Sequence, residues 1–148
     1  MTVLHLFDLY LPNTMNWASG LIQHTPSVKQ WIAAPWILNN EYRTPGNRHF
    51  IRPLQQKTRG IFNETDEQAW FPANLIRLER RLPLYRIWLS RQLKKNPPDL
   101  IHAHFAPVGC HYWALAKRLS IPMLTSFYGY DYARLPFERP FYRKQYQT

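Results

Sequence analysis

The stretch DLIHAHFAPVGCHYWALAKRLSIPMLTSFYGYD, residues 99–131, decides how the rest of the chain is read. Just before it, Asn96-Pro97-Pro98 ends a helix, because proline lacks an amide proton and pushes its predecessor out of the helical region. Residues 99–104 then read as a strand, residues 109–119 as a helix, and Ile121-Pro122 introduces a second strand over residues 123–127. Tyr128-Gly129-Tyr130-Asp131 is the loop beyond it. Strand, helix and strand in alternation imply a parallel sheet with helices on its faces.

The same alternation extends toward the N-terminus. Residues 3–7 are a short apolar run halted by Asp8 and the Leu11-Pro12-Asn13 turn, which suits a buried first strand. Asn13 or Thr14 can cap a short helix reaching about Gln23, before Pro26 stops it, and residues 28–33 give a second strand. Residues 35–72 hold turn signals at Asn39-Asn40, Pro45-Gly46-Asn47 and Arg59-Gly60, with a strand near residues 49–52. Residues 73–95 read as helix interrupted by Pro83, which kinks it or splits it in two, with Leu75, Leu78, Leu82, Tyr85 and Leu89 on one apolar face. The expected fold class is α/β: a Rossmann-like parallel sheet with helices on both faces, in one domain spanning residues 1–148.

The composition fits a folded domain, since 45% of the 148 residues are hydrophobic and 19% charged. Nineteen Lys and Arg against nine Asp and Glu leave a net charge of +10, which attracts phosphate, anionic lipid or nucleic acid. Cys110 is the only cysteine, so no internal disulfide forms, and a lone thiol usually behaves as a small hydrophobe. The N-terminus lacks the basic region and apolar length of a signal peptide, and no apolar run of about 18 residues exists to span a bilayer. A cytoplasmic location is expected, with any membrane contact peripheral.

Residues 99–131, about a quarter of the chain, resemble the corresponding stretch of family 4 retaining glycosyltransferases, which have the GT-B fold. There, a Pro-Asp strand ending in His-Ala-His precedes a helix with Ala-Lys-Arg-Leu near its end, then a strand leading to a His-Gly-x-Asp loop. In this chain the loop is Tyr128-Gly129-Tyr130-Asp131, with tyrosine in the histidine's place. Where many members carry a Gly-Gly pair in the first βα loop, this chain has Asn13-Thr14-Met15-Asn16. The resemblance implies the N-terminal, acceptor-side half of a two-domain enzyme. The nucleotide-sugar donor belongs to a C-terminal domain whose paired glutamates and Lys or Arg do not appear, so this half alone is expected to be inactive and incomplete at its C-terminal end.

Several residues are candidates for the site. Tyr128 and Asp131 occupy the catalytic loop that the resemblance implies, but a tyrosine with a pKa of about 10 is a poor base near neutrality and therefore orients a ligand. Its alternative is an aromatic closing the end of the sheet. Asp131 can fix a sugar hydroxyl, hold the loop or cap the next helix. Gly129 answers a backbone need, either positive φ or close approach of a ligand. His104 either donates a hydrogen bond to a sugar or phosphate oxygen or is satisfied by backbone. Asn13, Thr14 and Asn16 either cap a helix or present its free amides to an acceptor, and Trp17 is placed to stack on a sugar.

His102 and His104 share one strand face, a spacing that can hold a metal, but only His111 suggests itself as a third ligand and the resemblance implies none. No metal or other cofactor is therefore expected in this domain. Arg77, Arg80, Arg81, Arg86, Arg91, Lys94 and Lys95 stand against Glu79 alone, beside Trp88. Such a segment either lies on an anionic membrane surface or packs on the core with a solvated basic face.

The expected function is transfer of a sugar from an activated nucleotide donor to a carbohydrate or lipid-linked acceptor. One alternative is a non-enzymatic basic module binding nucleic acid or anionic surfaces, although no helix-turn-helix, zinc-finger spacing or RNA-recognition signature supports nucleic acid as a partner. Another is a sugar-nucleotide epimerase fragment, which shares the fold.

Overall fold

The computed structural model describes residues 1–10, 16–25, 27–37, 48–51 and 83–147. In chain order the elements are β1 (Thr2–Leu6), β2 (Leu9–Tyr10), α1 (Asn16–Gln23), β3 (Lys29–Ala34), β4 (Trp36–Ile37) and β5 (Arg48–Ile51). They continue with α2 (Leu84–Lys95), β6 (Leu100–His104), α3 (Ala106–Leu119) and β7 (Met123–Ser126). Three short helices follow: α4 (Tyr130–Ala133), α5 (Leu135–Glu138) and α6 (Pro140–Gln145).

Five strands form one sheet in the order β5-β3-β1-β6-β7, with every neighbouring pair parallel. This is the doubly wound arrangement expected from the sequence. The chain winds outward from β1 in one direction and then, from β6, in the other, so the order reverses between β1 and β6. Asp99 ties these two central strands together at their N-terminal ends: its carboxylate accepts the Thr2 amide at 2.6 Å and its own amide donates to Thr2 O at 2.9 Å.

Strand periodicity divides the side chains between two faces. Leu4, Leu6, Trp31, Ala33, Ile101 and Ala103 join Tyr85, Leu89 and Leu93 of α2 and Val108, Tyr112, Leu115 and Ala116 of α3 in the larger core. Phe7, Ile32 and Ala34 pack with Ala18 and Ile22 of α1 in a smaller one. Helices therefore cover both faces. Gly109 lets α3 sit close on β7, since a Cβ there would lie 2.5 Å from Thr125 Oγ1.

The structure shifts some expected boundaries. Helix α2 begins directly after Pro83, at Leu84, while residues 73–82, with Leu75, Leu78 and Leu82, lie outside the described residues. Helix α3 starts at Ala106, three residues before the expected Gly109, because Pro107 fits the first helical turn, where its missing amide proton costs nothing. Residues 130–145 fold into α4, α5 and α6, so that Tyr130 and Asp131, expected in a loop, open α4. Among the described residues no helix is long and apolar enough to cross a membrane.

Candidate functional site

Because β1, β6 and β7 are parallel neighbours, the residues that follow them emerge at one edge of the sheet. In open parallel sheets ligands bind beyond the C-terminal strand ends, where the strand order reverses. Here that point is the gap between Phe7, after β1, and Phe105, after β6. Three aromatic rings gather at it: Trp17 from the first turn of α1 lies 4.5 Å from Tyr128, and Phe105 lies 4.7 Å from Tyr128. Trp17 remains 40% exposed, so its ring is available to a ligand.

The backbone at this edge is held in unusual conformations. Phe105 has φ 75° and ψ 139°, a left-handed region that non-glycine residues rarely occupy, and its carbonyl accepts the amides of Val108 and Gly109 to start α3. Gly129 has φ 60°, while a Cβ built on it would meet nothing within 4 Å. Of the two reasons foreseen for this glycine, positive φ is the one visible within the chain.

Asp131 lies beneath the loop and is 2% exposed. One carboxylate oxygen accepts the Tyr128 amide at 2.6 Å and the other accepts the Ala106 amide at 2.8 Å. Its backbone oxygen accepts the Tyr146 hydroxyl of the last turn at 2.9 Å. Asp131 thus clamps the Tyr128 loop to the N-terminus of α3. Of its three sequence readings, the structure carries loop fixing, with the cap going to the preceding helix α3 rather than to the next one.

His104 is fully buried, behind Tyr128, with both ring nitrogens engaged in the protein. With no exposed surface and both nitrogens bonded within the protein, its ring does not open to the cleft, where the sequence had placed it. Nδ1 lies 2.9 Å from the Tyr128 hydroxyl, and Nε2 lies 2.9 Å from His5 Nδ1. His5 Nε2 in turn lies 2.6 Å from Gln30 Oε1. The third histidine of this face, His102, pairs in register with His5 and bonds to Ser126 Oγ at 2.7 Å.

Burial lowers the pKa of His104 to about 2, assisted by the neighbouring His102 and His5. For His5, burial outweighs the opposing hydrogen bond that it donates to Gln30 Oε1, and with the nearby His102 lowers the value to about 4. His102 is shifted down by burial as well. Tyr128 is shifted up, chiefly by burial and further by the Asp131 charge, against a hydrogen bond from Ser126. A raised phenol pKa supports the reading of Tyr128 as an orienting group.

One ring nitrogen from each of His5, His102 and His104 falls within 4.8 Å of the others, so the third histidine is His5 and not His111. His111 sits on α3, with its carbonyl accepting Arg86 at 3.2 Å. Two ligands of a tetrahedral zinc, each at about 2.05 Å, stand roughly 3.3 Å apart. The 2.9 Å between His5 and His104 is shorter and has the length of an N–H···N hydrogen bond. The polar cluster is accounted for by hydrogen bonding.

A cavity of about 140 Å³ lies elsewhere, lined by Gly109, Cys110, Trp113, Phe127 and Tyr146 among others. It contains none of Trp17, His104 or Tyr128, so it is separate from the aromatic edge. Burial raises the Cys110 thiol pKa, which makes it a poor nucleophile.

Of the remaining sequence candidates, Asn13 and Thr14 lie outside the described residues, as do Arg77, Arg80 and Arg81. Asn16 is the first residue of α1. Arg91, Lys94 and Lys95 are exposed on α2, whose opposite side carries the buried Tyr85, Leu89 and Leu93. Sequence reasoning missed His5, Gln30, Ser126 and Phe105. A histidine inside the apolar run Val3-Leu4-His5-Leu6-Phe7 was the available signal, because a polar residue in a buried strand requires a partner.

Comparison with known proteins agrees with this architecture. The sequence model of Glycosyltransferase Family 4 matches residues 39–148, about three quarters of the chain. No curated protein and no solved structure matches it. With the parallel sheet in place and a family match extending through both His-Ala-His and the Tyr128-Gly129-Tyr130-Asp131 loop, the chain belongs to Glycosyltransferase Family 4.

Proposed function

We propose that this chain is the acceptor-side half of a retaining, GT-B-type glycosyltransferase that moves a sugar from a nucleotide donor to a carbohydrate or lipid-linked acceptor. The observation that carries the reading is the convergence of Trp17, Phe105 and Tyr128 at the strand-order reversal. Flat apolar rings flanked by a polarised phenol suit a sugar, which offers C–H faces and hydroxyl edges. Asn13, Thr14 and Asn16, just before Trp17 in the sequence, are the further candidates for the acceptor side. A second domain supplies the diphosphate site, where most of the leaving-group stabilisation resides.

The purified chain incubated with sugar nucleotides and carbohydrate acceptors is expected to yield no product. In the enzyme completed by its donor domain, Trp17→Ala should lower kcat/KM on the order of tenfold or more, equivalent to ~1.4 kcal/mol of lost contact. Substantial turnover by this chain alone would contradict the division of labour, and an unaltered kcat/KM would remove Trp17 from the site.

A second reading concerns α2. Leu84 and Ile87 are 63% and 46% exposed, on the helix that also exposes Arg91, Lys94 and Lys95. Apolar and basic residues together on a solvent side suit peripheral attachment to an anionic inner membrane face, where lipid-linked acceptors reside. Co-sedimentation with vesicles containing phosphatidylserine should fall severalfold in an Arg91→Glu/Lys94→Glu/Lys95→Glu variant and in high salt, each surface cation contributing about 1 kcal/mol. Equal sedimentation of variant and parent would leave α2 as a core helix with a solvated face.

A further inference from the structure

The hydrogen bonds behind Tyr128 admit one consistent arrangement of protons, which can be followed from the end nearest α1. Gln30 Nε2 lies 3.2 Å from the backbone oxygen of Thr25, an acceptor only, so the amide end is fixed and Oε1 faces His5. His5 Nε2 must then carry the proton. A neutral His5 has a bare Nδ1, so the proton between it and His104 sits on His104 Nε2. That leaves His104 Nδ1 bare, and the Tyr128 hydroxyl donates to it. At the other end, Gln30 Nε2 also donates to the Thr25 hydroxyl at 2.7 Å, and that hydroxyl donates to the carbonyls of Leu21 and Ile22 in α1.

We propose that Tyr128 faces its ligand as a hydrogen-bond acceptor, with its proton committed to His104, and that His104, His5 and Gln30 are positioning residues that maintain this polarity. The phenol lone pair not taken by Ser126 meets a hydroxyl or ammonium donor and repels a phosphate or carboxylate oxygen. Donation along the chain polarises each successive group and strengthens Tyr128 as an acceptor. This selects a sugar hydroxyl over an anionic group at that point. The choice of a sugar rests on the transferase reading above; the proton order does not.

The surroundings keep the chain neutral. Phe7 stacks on His104 at 4.3 Å, His102 lies 4.1 Å from it, and Trp17 lies 6.1 Å away. Asp131 is the acidic group beside Tyr128, and its oxygens are occupied by backbone amides. No acidic side chain among the described residues bonds to either ring of the chain, so neither imidazole gains a counterion that would favour a second proton.

Nitrogen-15 multiple-bond correlation spectra read imidazole tautomers directly and need no ligand. His5 and His104 should both appear as the Nε2–H form and stay neutral through the neutral pH range. Gln30→Glu places a carboxylate against His5, favours its imidazolium, and makes His5 Nδ1 a donor. His104 must then change to the Nδ1–H form and donate to Tyr128. Should that variant fail to fold, Tyr128→Phe provides a second reading: His104 Nδ1 shifts toward the position of an unbonded nitrogen while Nε2 keeps its proton.

An Nδ1–H form of His104 in the parent protein, titration of His104 near its ordinary value, or stoichiometric capture of added Zn²⁺ by the histidines would overturn the proposal. These outcomes leave the transferase reading untouched. The ligand preference is tested separately with glucose and inorganic phosphate, reading the Tyr128 ring signals. A response to phosphate equal to or larger than that to glucose overturns the acceptor assignment.

Discussion

Lowering the pH from neutrality should destabilise this protein steeply, starting near the ordinary histidine value of 6.5 and before most carboxylates begin to titrate. His5 and His104 have folded values of about 4 and about 2, whereas both return to 6.5 when the chain unfolds. Between those limits the unfolded state binds more protons than the folded one, so stability rises with pH. The contribution is fully present above about 6.5 and is lost as pH falls toward the folded values. Each imidazole contributes a slope of up to ~1.4 kcal/mol per pH unit, so the pair approaches ~2.7 kcal/mol per unit. Urea unfolding at stepped pH should show this slope, and His104→Phe, which retains a ring against Phe7, should roughly halve it. A flat profile between pH 6.5 and about 5 would mean that the histidines are not buried as neutral groups.

The largest single-residue loss is expected at Asp131. Replacing it with alanine leaves the Tyr128 and Ala106 amides without their acceptor and frees the loop from the start of α3. A hydrogen bond to a charged group contributes about 1.5–3 kcal/mol, so the two together imply a loss of about 3–5 kcal/mol. For a chain of this length that corresponds to a fall in Tm of about 10 °C or more. Asp131→Asn retains one acceptor oxygen and should lose less. Calorimetry of the two variants separates the outcomes, since a change below ~1 kcal/mol for alanine would return Asp131 to a ligand-facing role.

These two predictions concern residues that the sequence named with different success. Asp131 was identified by its place in a Gly-x-Asp loop, but loop fixing and sugar binding require the same residue type. Only the position of the Ala106 amide, twenty-five residues earlier, distinguishes them. His104 was identified as a strand-end polar group. Its burial depends on Phe7 after β1, Tyr128 after β7 and Trp17 from the first turn of α1 closing over it, which local sequence does not encode.

The sequence by itself determined the alternation of strand and helix, because apolar runs and proline breaks act within a few neighbours. It also determined that residues 99–131 would form a strand, a helix and a second strand leading to the Tyr128 loop, and that Gly129 would meet a backbone need. The start of α3 and the helices of residues 130–145 were less legible, since these short segments gain their order from contacts such as Tyr146 to Asp131 rather than from periodicity. Only the tertiary structure decided that β1 lies between β3 and β6. That neighbourhood sets His5 against His104 across 99 residues of chain and brings Gln30 to its far nitrogen. Hydrogen-bond direction is a property of the closed chain of partners, so the polarity of Tyr128 follows from the assembled sheet and from no segment alone.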